Sequence, residues 1–435
     1  MTIAAENTAQ WLAQQHAQPG RADRIRHMQV RHDQMAAAGR DTERLDRALT
    51  HGIREYDRWA LHPGQLLLLD EAGMADLHTI DLLAAQTRAA GAKLLLVGDH
   101  HQLPAVGAGG TFQLLAHHHA DTAQLTGVHR FRNPDGTARQ WEAQASLHLR
   151  AGNPAALVTY RQHGRFADGT TEQMIDAAYT AWKTDQAAGL DSLLVAADND
   201  TVQALNLKAR ADRIAAGQVT PAGPALHDGT TAGAGDRIIT RRVARHLADG
   251  TGPGAVPDRY GRYASGFVTN GARFTVTATM PDGSLQARRD DRSTIVTLPA
   301  EYVAQHVELG YAVTAHRCQG VTVDTTHTIA DNRTTREAFY VAMTRGARSN
   351  HAYITTDRPS GDGDHVAFGP DTSSGDAVLR SILTRQAAEQ SAHQQDRTRS
   401  TQPQRPAIAS RLMSSAANRR PTSQRPPLAA EPGRR

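Results

Sequence analysis

The spacing of apolar positions divides the chain into stretches of different texture. The first sixty residues are polar with sparse apolar positions, from "NTAQWLAQQ" onward, and predict helices. Four leucines then run together at Leu66–Leu69, between Pro63-Gly64 and the pair Asp70-Glu71. An unbroken apolar run of that length predicts a parallel strand covered on both faces. "MADLHTIDLLAAQTRAAGAK" follows, with Leu77, Ile80, Leu83 and Ala84 on one helical face and Gly91 as its stop. "KLLLVGDHHQLP" predicts a second strand at Leu94–Val97, ending in Gly98-Asp99. Strand, helix and strand with polar groups at both strand ends make an α/β sheet, whose ligands lie beyond the carboxyl ends of the strands.

A second α/β segment begins at "DSLLVAADND", a strand that hands over to a helix through "TVQALNLKARADRIAAG". Between Thr220 and Pro299 the period shortens to two. "GDRIITRRV", "GARFTVTATMPDGSLQARR" and "STIVTLP" alternate, carry β-branched residues and are joined by turns such as Pro281-Asp282-Gly283. This predicts a β-rich insertion. Mixed texture returns with "GYAVTAHRCQGVTVDTTHTI" and "REAFYVAMTRGARSNHAYITT", and a last helix is expected near "DAVLRSILTRQAAEQ".

Composition changes this picture in two places. The net charge of +4 is not spread evenly: Arg397–Arg435 holds nine arginines and one acid, so the rest of the chain is slightly acidic. The positive balance therefore belongs to a tail rich in Pro, Ser, Gln and Arg, which cannot bury a core and is expected to be disordered. Such a tail can touch phosphates or simply be solvated. The single Cys318 excludes a disulfide framework, and no apolar run approaches the ~18 residues of a membrane helix. A cytoplasmic location is expected.

The candidate chemistry sits at the strand ends. Carboxylates at Asp70 and Glu71 can hold Mg²⁺ and activate a water, or can serve only as an acidic pair before a helix. The amide of Gln102, just beyond Asp99, can donate to a phosphate oxygen and accept from a water.

With these stretches in view, the chain resembles the superfamily 1 DNA helicases. "LLLLDEAGM" is similar to motif II, "KLLLVGDHHQLPAVGAGG" to motif III, "LTGVHRF" to motif IV, "YAVTAHRCQGVTVD" to motif V and "FYVAMTRGARSN" to motif VI. Within that superfamily it resembles the helicase half of the MobF-type conjugative relaxases. The resemblance implies an α/β fold of two RecA-like lobes, the first incomplete. It places the first lobe at residues 1–119, the second at 120–215 and 305–357, the β-rich insertion at 216–304, and a helix with the Arg-rich tail at 358–435. It implies ATP and Mg²⁺ as ligands and single-stranded DNA and other conjugation proteins as partners.

Residue by residue, Asp70 would coordinate Mg²⁺, Glu71 would activate the hydrolytic water, and Gln102 would link the γ-phosphate to movement, with Asp99 beside it. Arg130 and Arg345 would reach the phosphates from the second lobe. Thr314, His316, Gln319 and Thr322 would contact DNA, and Gly320 the nucleotide. One part of the pattern is not in the sequence. A motif II strand works with GxxxxGK[ST], whose amides and lysine hold the phosphates, and no Gly-Lys pair occurs in this chain. The three lysines, Lys93, Lys183 and Lys208, lie outside glycine-rich turns. Weak ATP affinity is therefore expected unless another segment or chain supplies that loop, and Leu94–Val97 is expected to form an unpaired apolar edge.

Overall fold

The computed structural model describes residues 8–104, 110–118, 122–125, 127–249, 266–290, 294–357 and 374–387. The expected Arg-rich tail lies outside the described residues.

The polar opening of the chain forms two helices, α1 (Thr8–Ala37) and α2 (Glu43–Trp59), packed along one another. Leu49 and Trp59 of α2 are buried, and Gln18 of α1 donates to the Tyr56 carbonyl at 3.0 Å. Next come β1 (Leu66–Leu69), α3 (Leu77–Ala89) and β2 (Lys93–Leu96). Asp76 caps α3 by accepting from the Thr79 amide at 2.7 Å. The two strands pair in parallel, Leu66 opposite Lys93 through Leu69 opposite Leu96.

Leu67, Leu69, Leu94 and Leu96 face Ile80 and Leu83 of α3, together with Trp11 and Leu12 of α1. α4 (Thr111–His118) adds Phe112 and Leu115 to the same cluster. The sequence suggested a strand covered on both faces and an unpaired edge at 94–97. β2 pairs with β1 on one side and, among the described residues, with no strand on the other, so the expected edge is present; the cover on both faces is not, since Leu66, Leu68 and Leu95 are exposed. The cause is alternation, since side chains two apart share a side and α3 covers only one.

The second lobe enters through α5 (Gln140–Arg150), α6 (Ala155–Gln162), β3 (Phe166–Gly169), α7 (Thr171–Ala187), β4 (Ser192–Ala196) and α8 (Asn199–Ala215). Thr170 and Gln173 form a reciprocal capping box on α7, and Asp198 caps α8. The chain then leaves for an antiparallel sheet of β5 (Arg237–Thr240), β8 (Arg273–Thr279), β9 (Leu285–Arg289) and β10 (Ile295–Leu298), with β6 (Ala244–Asp249) and β7 (Gly266–Val268) paired beside it. After α9 (Ala300–His306), β11 (Val307–Leu309) pairs with β5, so the sheet orders as β10-β9-β8-β5-β11 and extends to residue 309.

β12 (Ala312–Thr314) returns the chain to a parallel sheet, followed by α10 (Ala315–Cys318), β13 (Val323–Ala330), α11 (Arg336–Ala342), β14 (Gly346–Thr355) and α12 (Gly375–Thr384). The sheet order is β12-β4-β13-β14-β3, with every pair parallel. The fold is α/β, as the alternating elements predicted.

Buried β13 carries an unusual load of polar residues: Thr325, Thr326, His327 and Thr328. Thr325 donates to Asp185 at 2.6 Å, His327 Nε2 meets the same carboxylate at 2.8 Å, and Thr326 donates to Asn350 at 2.6 Å. Partners on α7 and β14 thus satisfy Thr325, Thr326 and His327, which would otherwise be costly to bury, while the Thr328 hydroxyl is left without a partner.

Candidate nucleotide cleft and its relatives

Two tight turns carry the acidic groups. Beyond β1, Glu71 adopts φ 50° and ψ 41° and opens a short 3-10 turn, Ala72–Met74. The exposed Asp70 carboxylate accepts from the Glu71 amide at 2.9 Å. Beyond β2, Gly98 lets this turn come close: a Cβ there would stand 3.0 Å from the Ala72 nitrogen and 3.3 Å from the Phe112 ring. The Ala72 amide donates to the Val97 carbonyl at 2.9 Å, which ties the two strand ends together. Asp99 then accepts from the His101 amide at 3.0 Å and from Gln102 Nε2 at 3.4 Å, a side-chain-stabilised turn.

The second lobe meets these turns with α10 and α11. The Tyr340 hydroxyl donates to Asp99 Oδ2 at 3.2 Å, and Gln319 Nε2 donates to Glu71 Oε2 at 3.4 Å. Leu103, only 2 % exposed, belongs to the same apolar cluster as Ala315, Cys318, Val341 and Ala342.

Arg130 donates to the Thr344 carbonyl. Arg345, in the turn after α11, is 2 % exposed and folds back on the end of that helix, Nε to the Val341 carbonyl at 2.8 Å and Nη2 to Thr344 Oγ1 at 2.9 Å. Rather than projecting into the cleft, it lies packed at its wall. Asn350 holds the turn that follows: it accepts from the Gly346 amide at 2.8 Å and donates to the fully buried Glu142 at 2.9 Å.

Two cations and three carboxylates meet between the lobes. Among the described residues neither Arg130 nor Arg345 has a carboxylate ion pair. Burial, and secondarily the charge of Arg345, pushes Arg130 down to about 10. Burial likewise lowers Arg345, while Glu71 lies close enough to support both cations. Tyr340 is pushed up to about 12 by burial and then by Asp99, so it stays a donor. Two acceptors in the cleft, Gln102 Oε1 and Gln319 Oε1, are buried with no hydrogen-bond partner. Orphaned oxygens beside the exposed Asp70 and Glu71 carboxylates suit water or a hydrated cation, and the neighbouring guanidiniums suit a phosphate charge. The residues present therefore fit the γ-phosphate end of a magnesium nucleotide. A lysine-bearing glycine turn for the remaining phosphates is not found among the described residues: Lys93 starts β2, Lys183 lies in α7 and Lys208 in α8.

The structure thus brings Glu71, Asp99, Gln102 and Gln319 to one cleft, with Arg130 and Arg345 in its wall and Asp70 at its rim. Gln319, expected on DNA, is hydrogen-bonded to Glu71. Thr314 precedes α10 without a side-chain capping bond, while His316, Gly320 and Thr322 stand exposed around it, Gly320 in a turn with φ 77°. Sequence reading missed Tyr340 and Leu103, although both lie inside stretches it singled out. Leu103 is the lone apolar residue between Asp99 and Pro104, the one available signal.

A family model described as an AAA domain matches residues 1–171. A probable conjugal transfer protein TraA of Sinorhizobium fredii is 30 % identical over 324 residues, which is 71 % of this chain and 27 % of that protein. The conjugal transfer protein TraA of Rhizobium radiobacter is 28 % identical over 339 residues, 74 % of this chain and 28 % of its own. Over some seven tenths of its length this chain is related to the TraA conjugal transfer proteins. It spans little more than a quarter of the length of those curated relatives. Among solved structures, a Pif1 helicase from Bacteroides in complex with ADP-AlF3 and ssDNA has 15 % identity and a TM-score of 0.39, covering 66 % of this chain and 70 % of that one. The Pif1 helicase from Candida albicans has 13 % identity and a TM-score of 0.40, covering 73 % and 78 %. No helix among the described residues of this TraA relative is long and apolar enough to cross a membrane.

Proposed function

We propose that the chain is the helicase portion of a conjugal transfer protein, coupling ATP hydrolysis to movement on single-stranded DNA. The observation that carries this reading is the pair of buried guanidiniums, Arg130 and Arg345, without carboxylate ion pairs and in a wall near Glu71 and Asp99. Buried cations without a direct ion pair are costly, Glu71 offsetting only part of their charge, and phosphoryl transfer is catalysed mainly by charge and positioning.

Glu71 would orient and deprotonate the attacking water. Gln102 would hold the same water through its free Oε1. Arg130 and Arg345 would offset charge on the γ-phosphate. Asp70 and Asp99 are the hard oxygen donors able to hold Mg²⁺, which when bound would neutralise part of the phosphate charge. The exposed residues around α10 would track the DNA backbone, with other conjugation proteins as further partners.

A second reading has its own support. With no Gly-Lys pair in the chain and its three lysines elsewhere, triphosphate affinity would be weak, and the chain would bind DNA or a partner without hydrolysis. Phosphate release with and without single-stranded DNA separates the two. Hydrolysis that DNA stimulates and that Glu71→Gln lowers by about 10²-fold or more supports the enzyme. DNA binding that ATP leaves unchanged, with no phosphate released, supports the binding module. Adding the upstream part of a TraA relative in trans tests whether a loop supplied by another chain restores turnover.

A further inference from the structure

Gln102 is flanked by two attachments to the opposite lobe. On one side Asp99 takes the Tyr340 hydroxyl at 3.2 Å. On the other, Leu103 is buried to 2 % exposure among Ala315, Cys318, Val341 and Ala342. Its neighbours in the first lobe are otherwise half-buried, and the strand leading to it is partly exposed. The five residues 99–103 are therefore rooted in β2 by sequence but seated in the second lobe by packing.

We propose that Leu103 is a plug that positions Gln102: buried in the second lobe's apolar cluster with residues of α10 and α11, it makes residues 99–103 move with that lobe. Ala315 and Cys318 belong to α10, whose flanks carry Thr314 and Gln319, so the same plug joins the candidate nucleotide sensor to the candidate DNA-contact segment. This last step rests on the function proposed above; the plug itself does not. A small apolar knob in a close-packed interior has few alternative seats, so a shift of the turn is passed on rather than absorbed.

The test uses spin labels on the exposed positions Arg88→Cys in α3 and Glu172→Cys in α7 of the full chain. Cys318 is buried and its thiol is pushed up to about 12 by that burial, so it takes no label. The parent chain is expected to give one narrow distance distribution. Leu103→Ala should roughly double its width and shift it outward, and Leu103→Met, of similar volume, should restore it. Tyr340→Phe removes only the hydroxyl, keeps the core filled and should broaden it less. An unchanged distribution in Leu103→Ala overturns the plug, as does equal broadening in Leu103→Met. If Leu103→Ala fails to fold, the ranking of Leu103→Met and Tyr340→Phe against the parent decides.

A second arm reads coupling. Where Mg-ADP with aluminium fluoride changes the affinity of the parent for single-stranded DNA, Leu103→Ala should reduce that change by about tenfold while DNA binding without nucleotide is kept. Retained coupling overturns the transmission. No nucleotide effect in the parent chain counts against the proposed ATP reading, and the distance measurement still decides the plug.

Discussion

Glu71 is the one non-glycine residue at positive φ among the described residues. A left-handed backbone costs an ordinary side chain about 1 kcal/mol or more, and such strain gathers at functional turns. Here it swings the glutamate off the line of β1 and toward Gln319. Glycine would relieve the strain while adding some unfolded-state entropy. We expect Glu71→Gly to be more stable than Glu71→Gln by about 0.5–1 kcal/mol in urea unfolding. Equal stabilities would mean that the turn is unstrained.

Two histidines record burial in the same way. His101 is pushed down to about 4 by burial and by His100, and His351 to about 4 by burial and by Arg165. Arg165 meets His351 Nε2 at 2.7 Å, an arrangement that suits a neutral ring accepting. Both are neutral when folded, whereas the unfolded chain protonates them near pH 6.5. Their contribution is complete above that pH and is lost as the pH falls toward 4. Urea midpoints should therefore drop between pH 6.5 and 4, and His351→Gln should flatten the slope by less than ~1.4 kcal/mol per pH unit. A parallel slope in the variant would remove His351 from the account.

At the scale of elements, the first-lobe strands show what a leucine run can and cannot announce. Leu66–Leu69 reads plainly as a strand, yet the run is silent about which of its sides a second layer covers. Leu69 is buried against α3, while Leu68, one residue away, is 53 % exposed. Leu69→Ala should cost about 2–4 kcal/mol in urea unfolding. Leu68→Thr with Leu95→Thr should leave stability within about 1 kcal/mol and lower light scattering at high concentration, because the bare apolar face is what would self-associate. A large stability loss in the double variant would show that the face is covered in solution. The insertion was easier to read: Phe274 and Val276 alternate with Thr275 and Thr277, and the structure buries the first pair. β13 was harder, since its threonines and histidine look like a surface until Asp185 and Asn350 come alongside.

Over the whole molecule, the five motif stretches carried the reading to the helicase superfamily because each is a local string. Leu103 and Tyr340 escaped notice for the opposite reason. Their roles exist only where residues far apart in sequence meet, and neither spacing nor periodicity encodes that meeting.

The same separation has a consequence in time. β3 finds its neighbour in β14, and Arg165 touches His351 across 186 positions of chain. Antiparallel strands such as β8, β9 and β10 close onto near neighbours and can form early, whereas long loops must be closed before such a parallel pairing stabilises anything. As the chain leaves the ribosome, the insertion would be complete while the sheet that carries it still waits for its last strand. Arg345 is delivered at the threshold of that strand, so the cleft is among the last features to come into being. A chain interrupted anywhere before it would emerge with well-formed parts and no place for them to act.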